Sequence, residues 1–241
     1  MMPRRGFKLR MIRKLAYLIG LMLLLLPLSC SKDMGMSQDE SGPYTSHDSL
    51  NGKGTRQAVA TLRSRDGIRY LVLDETSIGL IVNPASVQDI PDGTRVFVRY
   101  QQVSATLPDF CTEAVRVDWA ASVDVGAVSF LTDAPEGDPV DIVTDWMTSL
   151  EDGFLTLHYK IRASGKVAHS FELRPDVEGR QYRLLHDAHG DTGGEETEGL
   201  ICFPVADLLP DTQGETVTLT LHYTALNKKA STLTFDYRSP K

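Results

Sequence analysis

Cysteine is scarce in this sequence, and so are tryptophan and the usual signatures of catalysis. Three cysteines and two tryptophans occur in 241 residues. Cys111 and Cys202 lie 91 residues apart, so neither a CxxC motif nor a zinc-ligand spacing exists. An oxidising compartment would permit a bridge between them. Cys202 sits in the apolar run Leu200-Ile201-Cys202-Phe203, which favours two separate buried thiols. The chain has no G-x-S-x-G, no H-E-x-x-H and no dinucleotide fingerprint. Gly52-Lys53-Gly54-Thr55 lacks the first glycine of a phosphate loop and the strand before it. A triad assembled in space leaves no such trace, but small β-domains without motifs are expected to bind rather than catalyse. No enzyme activity and no cofactor are therefore expected.

Positive charge is also short, except at the start. Arg4, Arg5, Lys8, Arg10, Arg13 and Lys14 precede an apolar run from Leu15 to Leu28. These 14 residues are too few to span a bilayer, which takes about 20, and they suit the h-region of a signal peptide. Leu28-Ser29-Cys30-Ser31 then follows the pattern of a lipobox. A small residue precedes the one thiol that could take a diacylglycerol. Pro27 and Leu28 serve ordinary cleavage poorly, because that wants small residues at −3 and −1. Residues 1–29 thus read as a lipoprotein signal, Cys30 as the lipidated residue, and residues 30–54, polar and aperiodic, as a flexible tether. Taking six bases from the 25 Lys+Arg leaves 19 against 32 Asp+Glu, a mature net charge of −13. Such a chain is a poor partner for nucleic acid or an anionic lipid surface.

The remainder has β-patterning, and the fold class expected is all-β. Residues 55–120 hold five short strands: Ala58–Leu62, Tyr70–Leu73, Ile78–Val82, Val96–Tyr100 and Val115–Trp119. Asp66-Gly67 and Asp92-Gly93 mark turns between them. That count fits a five-stranded OB-like barrel. Residues 121–241 carry further alternating segments, among them Leu155–Ile161, Phe171–Leu173, Tyr182–Leu185, Val217–Tyr223 and Leu233–Tyr237. These are read as an antiparallel, immunoglobulin-like β-sandwich with one wet face. Val205–Pro210 reads as one helical turn. Leu-Thr-Leu-His-Tyr occurs twice, at 155–159 and 219–223, with Thr and His expected on the outer face of both copies. Neighbouring strands would bring His158 and His222 to one partner or metal; inert exposed imidazoles are the plainer reading.

Other candidate residues follow from these placements. OB barrels bind on strands 2–3 and the flanking loops, which here selects Arg65, Tyr70 and the loop with Leu107, Pro108 and Phe110. Phe110 either meets a partner or caps the barrel. Residues 54–119 hold seven arginines against eight acids, which gives no electrostatic funnel for nucleic acid. Trp119 and Trp146 bracket the inter-domain segment and either pack there or stack on a sugar. His186, Asp187, His189 and Asp191, with Glu195, Glu196 and Glu198, are dense enough to hold a divalent ion. No EF-hand order is present, and a solvated glycine-rich loop is the simpler reading, so no metal is assigned.

The lipobox, tether, OB-like unit and C-terminal sandwich together resemble the NigD-like lipoproteins of Gram-negative envelopes. The local carriers are Tyr70-Leu71-Val72-Leu73-Asp74, Asp118-Trp119, the stretch Asp145 to Ile161, and Leu184 to Asp191. The resemblance spans nearly the whole mature chain. It implies a lipid-anchored binding protein of the outer membrane, on either its periplasmic or its outer side. It also implies a link to bacteriocin operons and an immunity-type role, and it brings no catalytic residues. A surface glycan-binding or adhesin module is the alternative.

Overall fold

The computed structural model describes residues 54–130 and 136–239. The expected signal peptide, the lipidated Cys30 and nearly all of the tether lie outside the described residues.

Asp66 and Gly67 take positive φ values of 52° and 79°, the backbone of a two-residue I′ turn. This turn folds β1 (Thr55–Arg65) onto β2 (Ile68–Val72), with Arg65 opposite Ile68. β3 (Ile78–Ile81), a 3-10 turn (Pro84–Val87), β4 (Arg95–Val103) and β5 (Glu113–Ser122) follow. The order is β1-β2-β3-β5-β4, and β4 pairs back onto β1, so the barrel is closed. Only β3 and β5 run parallel in it. This is the OB-like arrangement expected from the strand count. Period-2 alternation sends Ala60, Leu62, Leu71, Val96, Val98, Val115 and Val117 inward.

The chain then crosses into the sandwich through two very short strands, β6 (Asp124–Val125) and β7 (Ala127–Val128). They belong to different sheets. Gly126 sits at the crossing, where a Cβ would collide with the Phe203 ring; only glycine lets the backbone pass so close. After β8 (Asp141–Val143), β9 (Ser149–Glu151) and β10 (Phe154–Ala163) come β11 (Ser170–Pro175) and β12 (Gln181–Asp187). The last strands are β13 (Glu195–Pro204), β14 (Val217–Thr224) and β15 (Ala230–Tyr237). The first sheet has the order β6-β13-β10-β8, with β9 also on β10; the second has β15-β14-β12-β11-β7. Leu155, Leu157, Leu173, Leu184, Phe203, Leu219 and Leu221 fill the space between them.

Three features differ from the sequence expectation. The sheets are mixed, not wholly antiparallel: β6 with β13, β7 with β11, and β12 with β14 are parallel. Glu195, Glu196 and Glu198 lie on β13, not in a loop, because Glu195–Pro204 pairs along its full length with β10. Thr156 and His158 do not face water. Thr156 is completely buried and His158 nearly so, because the barrel and the β8–β9 loop cover that face of β10. The helical turn near Val205–Pro210 is a 3-10 turn at Ala206–Leu208.

Candidate functional site

On the barrel, the three ligand-face candidates come together, but on one another. The Arg65 guanidinium lies 5.0 Å from the centre of the Phe110 ring, and Tyr70 meets that ring edge-on at 5.2 Å. A cation over an aromatic face is attractive in itself. The β4–β5 loop is thereby folded down over the end of the β1–β2 hairpin, which is the capping alternative for Phe110. Cys111 beside it is a free buried thiol, as is Cys202. Burial holds the Cys111 thiol above its ordinary value and pushes Cys202 up to about 11.

The barrel and sandwich are joined by a buried polar cluster that sequence reasoning missed. Arg95, on the outer face of β4, has a side chain only 1% exposed. Its Nη1 donates to Thr61 Oγ1 at 3.1 Å, its Nε to Thr156 Oγ1 at 3.3 Å, and its Nη2 to Glu151 Oε2 at 3.0 Å. Ser149 Oγ donates to the same carboxylate oxygen at 3.2 Å. Burial raises the Glu151 pKa, and the Arg95 charge opposes that rise. At the rim, Arg63 Nη2 meets Asp152 Oδ2 at 2.9 Å. Phe97 adds an aromatic contact on each side. Trp146, from the sandwich, stacks on it at 6.0 Å and 26°, and Trp119, 48% exposed, meets it edge-on. Trp146 therefore packs between the two domains, while Trp119 lies against Phe97 on the barrel and stays half exposed. The described residues form one compact unit.

The histidine-acid segment does not converge on a point. Among the described residues, no three His, Cys, Asp or Glu side chains are placed to hold a metal. His186 points inward, stacked on Phe171 at 4.9 Å and on His169 at 5.0 Å. Its Nδ1 donates to the Pro139 carbonyl at 3.0 Å, so its neutral Nε2 accepts from His169 Nδ1 at 2.9 Å. Burial lowers the His186 pKa. Asp187 and His189 pair with each other instead, at 3.2 Å. Asp191 accepts from the Ser164 backbone N–H and hydroxyl, which hold its carboxyl below the usual range against the opposing effect of burial.

His158 and His222 are likewise apart. β10 and β14 belong to different sheets, so the two imidazoles share no partner. His158 is held between Asp145 (Nδ1 to Oδ2, 2.9 Å) and Glu198 (Nε2 to Oε2, 3.3 Å). His222 lies in the open, with Nε2 donating to Gln181 Oε1 at 2.7 Å.

His222 lines a groove of about 880 Å³ on the outer face of the second sheet. Register builds its floor. Arg174 on β11 is opposite Arg183 on β12, Arg183 is beside His222 on β14, and His222 is opposite Thr232 on β15. Arg174 Nε donates to Glu172 Oε1 at 2.7 Å, which holds that carboxyl below its ordinary value. Arg183 is exposed and has no hydrogen bond or ion pair to any described residue. Gln181, Glu136 and Asp176 add polar walls, and Phe130, 68% exposed, stands on the rim. The floor draws on strands scattered from residue 174 to 232, and no local motif announces it. The available signal was the outward alternation of Arg174, Arg183 and His222, which becomes a row only once the strand order is known.

A closed OB-like barrel fixed to a two-sheet sandwich defines the structural class. Residues 128–237 match the family model of the NigD-like C-terminal beta sandwich domain. Solved structures share the architecture. A protein from Parabacteroides distasonis described as toxin related is 22% identical, with a TM-score of 0.62 over 76% of this chain and 93% of that one. A NigD-like immunity protein from Bacteroides caccae is 20% identical, with a TM-score of 0.53 over 76% and 97%. A Bacteroides fragilis protein provisionally described as a lipoprotein is 9% identical, with a TM-score of 0.50 over 76% and 96%. No curated protein matches the chain.

Proposed function

We propose that this chain is a lipid-anchored binding protein of the bacterial envelope with an immunity-type role against a protein toxin, acting by binding and not by catalysis. One observation carries the reading: the NigD-like sandwich is fixed to the barrel by the buried Arg95–Glu151 pair, and its outer groove is left open. The barrel's ligand-face residues Arg65, Tyr70 and Phe110 pack on one another, whereas the sandwich presents an open groove. Pre-organised surfaces bind without first paying for ordering. The raised thiol of Cys202 makes it a poor nucleophile, in keeping with a non-catalytic role. The descriptions of the similar structures, toxin related, immunity protein and lipoprotein, favour the envelope and the toxin.

The test is genetic. Deleting the gene should raise sensitivity to a protein toxin made by neighbouring strains, and wild-type chain should restore resistance. Cys30→Ala, which removes the anchoring thiol, should lose both acyl label and protection. Unchanged sensitivity across a panel of toxin producers would remove the immunity role; acyl label retained by Cys30→Ala would remove the anchor.

A further inference from the structure

We propose that the groove on the outer face of the second sheet binds a saccharide carrying an acidic group. The inference rests on reading this groove as a binding site, but not on which protein the chain meets.

Like charges placed directly opposite one another on paired strands destabilise a sheet. Arg174 and Arg183 are such a pair, in register, with His222 next in the row. Neighbouring strands are about 4.8 Å apart, so one small anion can reach two of these side chains. Glu172 already neutralises Arg174. Arg183 is the cation left over, exposed at the centre of the floor. A guanidinium pairs best with a planar oxyanion such as a carboxylate, through two parallel hydrogen bonds.

The rest of the groove selects the carrier of that acid. A sugar hydroxyl both donates and accepts, and the walls offer both kinds of partner: Gln181, His222 and Thr232 beside the carboxylates of Glu136 and Asp176. A peptide would find few apolar pockets for its side chains, because Tyr182 and Leu184 are turned into the core. The Phe130 ring on the rim gives the flat C–H face of a sugar a place to lie. The volume of about 880 Å³ falls within the range of small-ligand sites.

The experiment places the full chain, in detergent, on an array of hexuronic, sialylated and sulfated saccharides beside their neutral counterparts. Calorimetry on the hits follows, with inorganic phosphate and a polyglutamate peptide as competitors. At least one acidic saccharide should bind about tenfold or more tightly than its neutral counterpart. Arg183→Ala should weaken it about tenfold or more, the scale of one charge-assisted hydrogen bond, and Arg183→Lys should weaken it less. Phe130→Ala should weaken acidic and neutral forms alike, while Lys166→Ala, outside the groove, should change neither. Because Arg183 is exposed and makes no contact that folding needs, its variants should keep the parent melting temperature. The proposal is overturned if no saccharide binds, if neutral and acidic forms bind equally, if phosphate or polyglutamate competes as well as the saccharide, or if Arg183→Ala binds like the parent.

Discussion

The same five residues, Leu-Thr-Leu-His-Tyr, form part of β10 and part of β14, and the two copies have opposite fates. Both bury their leucines: Leu155 and Leu157 are 4% and 0% exposed, Leu219 and Leu221 2% and 1%. On the other face they part. Thr156 is fully buried and accepts from Arg95, and His158 is enclosed by Asp145 and Glu198. Thr220 is half-buried, and His222 stands exposed in the groove. Identical local sequence therefore determines the strand and its core side, but not what covers the second side. In β10 that side holds the barrel; in β14 it is left open. Each sandwich sheet has one face spent on the core, and the two outer faces are put to different uses.

The comparison is broken most violently at Arg95. Arg95→Ala leaves Glu151 buried without its counter-charge and should cost about 3–5 kcal/mol in urea unfolding. A double replacement, Arg95→Met with Glu151→Leu, should recover most of that, because burying a pair of charges is itself expensive. Next come the shared core faces. Leu157→Ala and Leu221→Ala should each cost about 2–5 kcal/mol, and a large difference between them would contradict their equivalence. The outer faces sharpen the contrast: His158→Ala should cost about 1–3 kcal/mol through its lost buried bonds, while His222→Ala should stay within about 0.5 kcal/mol.

The smallest effect is a pH slope. His186 has its pKa lowered from 6.5 by burial. The unfolded chain therefore takes up this proton more readily than the folded one. Stability from this group is complete above 6.5 and declines as pH falls below it. The decline should be visible in unfolding midpoints as the pH is lowered below 6.5 and be flattened in His186→Phe.

Legibility in the sequence followed the same division. The alternation of Leu155, Leu157, Leu219 and Leu221 identified both strands, and Asp66-Gly67 identified the first hairpin, because these signals are local. β13 was misread because its first half, Glu195–Glu198, is acidic and follows Gly193 and Gly194; what makes it a strand is ten pairings with β10. The role of Arg95 was hidden because an arginine on the outer face of a barrel strand ordinarily faces water. Only the docked sandwich, bringing Thr156, Ser149 and Glu151, turns it inward. The groove was hidden for a related reason: its row of side chains depends on the parallel pairing of β12 with β14, which no turn or periodicity encodes. Arg65, Tyr70 and Phe110 were grouped by their place on the strands and loops of an OB-like ligand face, and place alone does not say that they close on one another.

The division of the two outer faces, one joined to the barrel and one left open, is tested most directly by histidine footprinting. The intact full chain would be treated briefly with diethyl pyrocarbonate and each modified imidazole located by mass spectrometry. The account predicts rapid modification of His222 and strong protection of His158, with His158 gaining reactivity when Arg95→Ala loosens the junction. Equal reactivity of His158 and His222 in the parent chain would contradict it.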